Sequence, residues 1–239
     1  MIEKPLSVLA IDSSSSWCSA ALIAGGVLAG EDMRSGAGNY SILLLTMIDR
    51  LLRDAGLEAH DLDCIAVAQG PGSFTGLRVG ISTAQGLGFS LSKPLVGVST
   101  LEILAAQNMP SGLVVCPMLD ARRGQVYTCL FKQGPNGEAA AVSEEVVMCP
   151  EQWAAGLQEP VLLCGSGARL YKDTITRVSK AEHHFAPDMN ERPRAAMLGR
   201  IALKRCAAGL IHPPEQVLPG YVRRPDAERS AVQRDLRKN

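Results

Sequence analysis

Four glycines fall within eleven residues in Gly70-Pro71-Gly72-Ser73-Phe74-Thr75-Gly76-Leu77-Arg78-Val79-Gly80, the stretch of this sequence densest in chemical information. It follows an apolar run and opens a helical pattern. At such a place unpaired backbone N–H groups point outward and attract anions. The stretch is not a phosphate-binding P-loop, because no Gly-Lys-Ser/Thr closes it, nor is it a GxGxxG followed by a distant acid. Along the helix it opens, Gly76, Gly80, Ala84 and Gly88 recur every four residues and share one face. A face of small residues lets another backbone come close. Two readings stay open here: tight packing on the chain's own sheet, or contact with another chain.

Two aspartates stand at the ends of apolar runs, each followed by a polar turn: Asp12-Ser13-Ser14-Ser15 and Asp120-Ala121-Arg122-Arg123-Gly124. Each Asp could cap its turn. The four histidines, His60, His183, His184 and His212, include no pair at i,i+4, so no HxxxH or HExxH metal pair exists. No GxSxG nucleophile elbow occurs. The seven cysteines form no CxxC, and most lie in apolar runs where a thiol behaves as a small hydrophobe. They read as reduced, structural and cytosolic.

Around these residues the pattern is α/β. Strands are expected at residues 6–11, 17–23 and 27–33, with Gly25-Gly26 as a hairpin turn, followed by a helix over 41–55 capped by Gly56. Residues 64–68 read as a strand covered on both faces; a long helix over 75–91, a strand at 94–98 and a helix at 100–107 follow. At Pro110-Ser111-Gly112 the syntax restarts: a strand at 113–119 ending in Asp120, a polar turn, a strand over 126–131 and a Gly134-Pro135-Asn136-Gly137 turn. A short helix over 151–157, a strand at 161–163, a glycine turn at 165–167, a loop holding His183-His184 and a helix over 193–208 complete the second half. The repeat predicts a duplicated fold whose two sheets meet at a cleft, with lobes at 1–109 and 110–215 and a basic tail at 216–239.

The 239 residues are 46% hydrophobic and 20% charged, with mean hydropathy +0.08, which suits a packed core. No apolar run approaches the ~20 residues of a membrane span, and the first five residues are not a secretory leader, so a cytoplasmic protein is expected. The net charge of zero hides an asymmetry: −5 over residues 1–120 against +5 over 121–239, most of it after Arg192. Aromatics at 4% leave little for a base-stacking platform.

The two Asp-turn hairpins resemble the phosphate loops of the actin/hexokinase/Hsp70 (ASKHA) superfamily, where Asp and small residues hold nucleotide phosphates and metal. The resemblance makes Asp12, Ser13, Asp120 and Arg122 the candidates for a degenerate phosphate loop, and each Asp could equally cap its turn. Here Ser14 stands where that superfamily has Gly, and Arg122-Arg123 replace small residues in the second turn. Ala10-Ile11-Asp12-Ser13-Ser14, Cys18-Ser19-Ala20-Ala21-Leu22, the Gly70 to Gly80 motif, Gly97-Val98-Ser99-Thr100-Leu101, Leu119-Asp120-Ala121-Arg122, Gln125-Val126-Tyr127 and Pro219-Gly220-Tyr221-Val222-Arg223-Arg224-Pro225 together resemble the TsaB (YeaZ) family over nearly the whole chain. The resemblance implies a non-catalytic subunit in the formation of threonylcarbamoyladenosine beside the tRNA anticodon. It implies binding to a sister chain, TsaD, which carries out the transfer, self-association as a homodimer through the same surface, and an ATPase, TsaE, joining the complex. Nucleotide and metal are then expected on TsaD and TsaE, none on this chain alone, and tRNA is met only through the complex. TsaD-like chains carry an HxxxH metal pair whose two places fall here on Thr100 and Leu104. Family members often have a His near the start of the first long helix, where this chain reads Gly38-Asn39-Tyr40-Ser41.

On this reading the partner surface combines Leu44, Leu45, Ile48 and Leu52, from a helix with more apolar positions than one core stripe needs, with the small face Gly76, Gly80, Ala84 and Gly88. Gly80→Arg or Leu45→Asp is then expected to abolish copurification with TsaD while leaving the monomer folded. Arg223 and Arg224 are expected to help tRNA reach the complex. The competing classes are an ASKHA ATPase or small-molecule kinase and a metallopeptidase-like enzyme acting alone.

Overall fold

The computed structural model describes residues 5–35, 40–220 and 222. Residues 36–39, Gly38 and Asn39 among them, lie outside them, as do Tyr221, residues 223–239 with Arg223 and Arg224, and the first four residues.

The first sheet has five strands: β1 (Val8–Asp12), β2 (Trp17–Ala24), β3 (Val27–Ser35), β4 (Cys64–Gly70) and β5 (Leu95–Ser99), in the order β3-β2-β1-β4-β5. The hairpin strands pair antiparallel, while β1, β4 and β5 run parallel. Period-two alternation decides which helix each strand faces. Leu9, Ile11, Ile65 and Val67 point to one side, under α1 (Tyr40–Asp54) and α2 (Phe74–Leu91). Val8, Ala10, Cys64, Ala66 and Ala68 point to the other.

The second sheet repeats the plan. Its strands β6 (Val114–Asp120), β7 (Val126–Thr128), β10 (Val146–Met148), β11 (Val161–Cys164) and β12 (His183–Phe185) run in the order β10-β7-β6-β11-β12, position for position the order of the first. The duplicated ASKHA architecture expected from the paired Asp turns is therefore the fold. Two short strands, β8 (Phe131–Gln133) and β9 (Ala139–Ala141), hang from β6. The expected single strand over 126–131 thus breaks at Cys129-Leu130, because β7 pairs with β6 and β10 whereas β8 turns to β9. His183-His184, expected in a loop, is strand β12, pairing parallel with β11. One face of this sheet is covered by α4 (Pro150–Ala155), α5 (Ser166–Leu170) and α6 (Lys172–Val178).

The lobes exchange their last helices. α3 (Thr100–Asn108) leaves β5 yet buries Leu101, Leu104 and Ala105 against Val115 and Leu119 of the second sheet. α7 (Ala195–Ala207), from the second half, buries Ala195, Leu198 and Ala202 on the first sheet. A division at residue 110 therefore follows the repeat in sequence but not the packing. Beyond α7 a strap returns over the first lobe. His212 bridges Leu95 at the β5 edge, the Gln85 amide donates to the carbonyls of Pro214 and Val217, and Val217 is buried. Residues 212–220, part of them expected in a tail, are thus built into the first lobe. Among the described residues no helix is long and apolar enough to cross a membrane.

Candidate functional site

β1 delivers Asp12 to the first turn with 1% of its surface exposed. Its Oδ1 accepts the Ser14 N–H at 3.1 Å. Burial pushes its carboxyl up to about 6, only partly offset by the hydrogen bond from Ser14. The turn is closed from outside by the start of α2. The Ser73 N–H donates to the Ser14 carbonyl at 2.6 Å, the Ser13 hydroxyl donates to the Gly76 carbonyl at 2.8 Å, and Ser73 Oγ caps α2 by accepting the Gly76 N–H. This closure explains the glycines. A Cβ at Gly72 would overlap the Ser14 carbonyl, one at Gly76 the Ser13 carbonyl and one at Gly80 the Ser13 hydroxyl. At Gly88 it would meet Leu95 Cδ1 at 2.5 Å and Pro214 at 2.9 Å. Of the two readings left open by the sequence, close packing within the chain is the one realised.

The second turn repeats the first in its bonding and differs in exposure. Asp120 Oδ1 accepts the Arg122 N–H at 2.8 Å, the counterpart of the Asp12–Ser14 bond, while the Asp120 N–H donates to Ser166 Oγ at 3.2 Å. Arg122, Arg123 and Gly124 lie in succession in the left-handed region, at φ 58°, 54° and 71°. Asp120 is exposed and lines a cleft of about 570 Å³ between the lobes, together with Ser15, Trp17, Ser166, Arg169 and Arg192. The Arg192 guanidinium lies 4.1 Å over the Trp17 ring, and Arg169 is held by Glu191 at 3.0 Å.

These residues do not fit the phosphate-and-metal site of the superfamily. Asp12 and Ser13 are buried at the start of α2, which leaves Asp120 as the one turn carboxylate facing the cleft, and Arg122 and Arg123 stand exposed in its turn where the superfamily has small residues. The TsaD-like metal positions fare no better. Thr100 and Leu104 are both 0% exposed, the Thr100 hydroxyl has no partner among the described residues, and Leu104 offers only hydrocarbon. No group of three or more His, Cys, Asp or Glu side chains among the described residues is placed to hold a metal ion.

The outward face of α1 and α2 is different in kind. On α1, Leu44, Met47, Ile48, Leu51 and Leu52 turn inward to the first sheet, while Ile42 and Leu45 stand 68% and 52% exposed. On α2, Phe74 and Phe89 are exposed, the Arg78 guanidinium lies 3.8 Å over the Phe74 ring, and Gly86 has open space where a Cβ would be. Residues 74, 78, 82, 86 and 89 form an outer stripe opposite Gly76, Gly80, Ala84 and Gly88. Of the eight residues expected at a partner surface, Leu44, Ile48, Leu52, Gly76, Gly80, Ala84 and Gly88 are therefore internal and Leu45 alone faces out. The reason is a rotation about each helix axis: the sheet claims the densest apolar face of α1 and the smallest face of α2. Phe74, Arg78 and Phe89 were missed. Their signal was present, since large side chains at helical spacing opposite a small-residue stripe fall on the face turned away from the sheet.

Comparison with known proteins places this geometry in context. Residues 34–231 match the family model described as TsaD, tRNA N6-adenosine threonylcarbamoyltransferase. The chain is 33% identical over 226 residues to the tRNA threonylcarbamoyladenosine biosynthesis protein TsaB of Bacillus subtilis, covering 93% of this chain and 96% of that one. It is 34% identical over 146 residues to TsaB of Escherichia coli, 60% of this chain and 63% of the other. Among solved structures, YeaZ from Pseudomonas aeruginosa superposes with a TM-score of 0.79 at 30% identity, covering 90% of this chain and 99% of that one.

Proposed function

We propose, on the premise that this chain belongs to the TsaB family of tRNA threonylcarbamoyladenosine biosynthesis proteins, that it serves that pathway by holding a catalytic partner rather than by doing chemistry itself. Its role lies in tRNA threonylcarbamoyladenosine biosynthesis. Within that role it is a non-catalytic subunit that docks a TsaD chain on the outer face of α1 and α2. The nucleotide and metal reside on TsaD and on a TsaE ATPase that joins them. The tRNA is met through the assembled complex, in the cytoplasm. A second copy of this chain competes for the same face when TsaD is absent.

One observation carries the reading: Ile42, Leu45, Phe74 and Phe89 are large, apolar and exposed on two adjacent helices, while Asp12 is buried in its turn and the two TsaD-like metal positions are the buried Thr100 and Leu104. Exposed apolar side chains gathered on one face are the usual mark of a surface meant to be covered. A pair of helices of this length is wide enough to contribute to a standard interface of about 800 Å² per partner.

The experiment mixes the chain with TsaD, TsaE, ATP, threonylcarbamoyl-adenylate and tRNA, and follows threonylcarbamoyladenosine formation beside size-exclusion chromatography. Leu45→Asp is expected to stay folded, to lose coelution with TsaD and to stop transfer. Full transfer with Leu45→Asp, or transfer by this chain without TsaD, overturns the reading. Gly80→Arg is no longer a useful probe, because its side chain would strike Ser13 and disrupt the monomer itself.

A further inference from the structure

Residues 64, 66 and 68 of β4 share the face of the first sheet that α7 covers, and Cys64 on it is 0% exposed. On α7 the sheet-facing stripe runs through Ala195, Leu198 and Ala202, and one turn beyond Ala202 comes Cys206, half buried against the same cluster. Two independent periodicities, two along the strand and four along the helix, thus place these two cysteines at one seam between β4 and α7, from positions 142 residues apart in sequence. The Cys206 side chain packs against the same apolar cluster that holds Cys64, and its proximity is among the causes that raise the Cys64 thiol, after burial. Among the described cysteines, Cys18, Cys64, Cys116, Cys129 and Cys164 are buried, and Cys149 and Cys206 are the two that solvent reaches.

We propose that Cys64 and Cys206 are an oxidisable thiol pair, which a peroxide converts into a disulfide tying the start of β4 to the last turn of α7. The half-exposed sulfur is the one a dissolved oxidant meets first. The Cys206 sulfur attacks the peroxide, the O–O bond breaks, and Cys206 becomes a sulfenic acid with release of one water. The Cys64 sulfur then attacks that sulfur. The S–S bond forms, the S–O bond breaks, and the departing hydroxide takes the Cys64 proton as a second water. Two thiols are oxidised by two electrons in total and the peroxide is reduced to water. Burial and the neighbouring Cys206 raise the Cys64 thiol, which keeps it protonated at rest and makes the second step faster as pH rises.

The tie has a structural consequence. Cys206 stands at the root of the strap: the Leu210 N–H donates to the Arg205 carbonyl, and the chain then crosses to Leu95 and α2. A disulfide there pins the strap and the exchanged helix α7 to the first lobe, and cross-linking so long a loop constrains the unfolded chain.

The experiment treats the reduced full-length protein with hydrogen peroxide and reads intact mass, thiol-blocked peptides and thermal unfolding. The expected product has lost two hydrogens, yields a Cys64–Cys206 linked peptide, and unfolds several degrees higher until dithiothreitol reverses it. Cys206→Ser abolishes both the linked peptide and the rise. Cys149, half exposed with its thiol on Glu151 at 2.7 Å, is oxidised without finding a partner and serves as the internal comparison. The proposal fails if Cys206 proceeds to the sulfinic acid while Cys64 stays blockable, if Cys206 links to another cysteine, or if the pair links only in denaturant.

Discussion

The Ser13 hydroxyl donates to the Gly76 carbonyl at 2.8 Å, while a Cβ on Gly76 would overlap the Ser13 carbonyl. One contact therefore explains both why the first Asp turn is shut and why the glycine motif is needed. Glycine here permits two backbones to touch, rather than providing a cradle for a phosphate.

Glycines of α2 should consequently fall into two classes. Gly76→Ala forces the Asp12 turn away from α2 and is expected to cost about 3 kcal/mol, at the upper end of ordinary overpacking. Gly86→Ala meets nothing within 4 Å and should stabilise by about 0.5–1 kcal/mol through helix propensity. Chemical unfolding of the two variants measures the contrast; equal midpoints would mean that the close approach does not exist in solution.

Asp12 gives the protein a specific response to acid. Its folded-state value of about 6 lies above the ordinary 3.8 because burial disfavours the carboxylate. The folded state thus binds the proton more tightly. The resulting stabilisation is fully present below about 3.8, is lost as pH rises through about 6, and amounts to roughly 3 kcal/mol from a shift of about two pK units. Asp12→Asn, which cannot ionise and keeps an oxygen for the Ser14 N–H, should be more stable than the parent at pH 7.5. That advantage should vanish near pH 4. Unfolding midpoints across this range are the measurement, and parallel curves would refute the assignment.

What the sequence revealed depended on the range of the forces involved. Strand–Asp–turn syntax is local, so the duplication and the order of the main elements could be read directly, and Asp12 and Asp120 were correctly paired. The orientation of a helix about its axis is not local. Residues 41–52 hold so many apolar side chains that Leu44 and Leu45 look alike in sequence, and only the sheet beneath decides that the first is core and the second surface. The exchange of α3 and α7 between lobes was equally invisible, since an apolar stripe specifies that it is buried and not against which sheet. Short strands such as β12, with two histidines, exist because β11 offers an edge and not because their residues favour extension.

The exchanged helices are joined by a charge pair whose removal should be costly in a particular way. Arg205 on α7 donates to both oxygens of Glu102 on α3 at 2.8 Å and to the Gly97 carbonyl at 2.9 Å. Arg205→Met leaves Glu102 desolvated without its cation, and a loss of about 2–3 kcal/mol is expected, somewhat below that for a fully buried pair. Adding Glu102→Leu should restore much of it, because two apolar groups need no partners. A double-mutant cycle by denaturant unfolding decides; additive losses would show that the two helices are not coupled through this pair.

The sharpest division of labour lies between adjacent residues of α1. Leu44 is 0% exposed beneath the helix and Leu45 is 52% exposed above it. Leu44→Ala opens a cavity in the core of the first lobe and should cost about 2–5 kcal/mol, whereas Leu45→Ala should change monomer stability by less than about 0.5 kcal/mol. In association the order reverses. Truncating an exposed anchor at the centre of an interface typically costs about 1–2 kcal/mol of binding, so Leu45→Ala should weaken capture of TsaD some tenfold, while Leu44→Ala, at temperatures where it remains folded, should bind nearly as the parent does. Unfolding and binding measured on the same two preparations separate the roles. Normal binding by Leu45→Ala and Ile42→Ala together would remove α1 from the partner surface and leave the α2 stripe of Phe74, Arg78 and Phe89 to account for it.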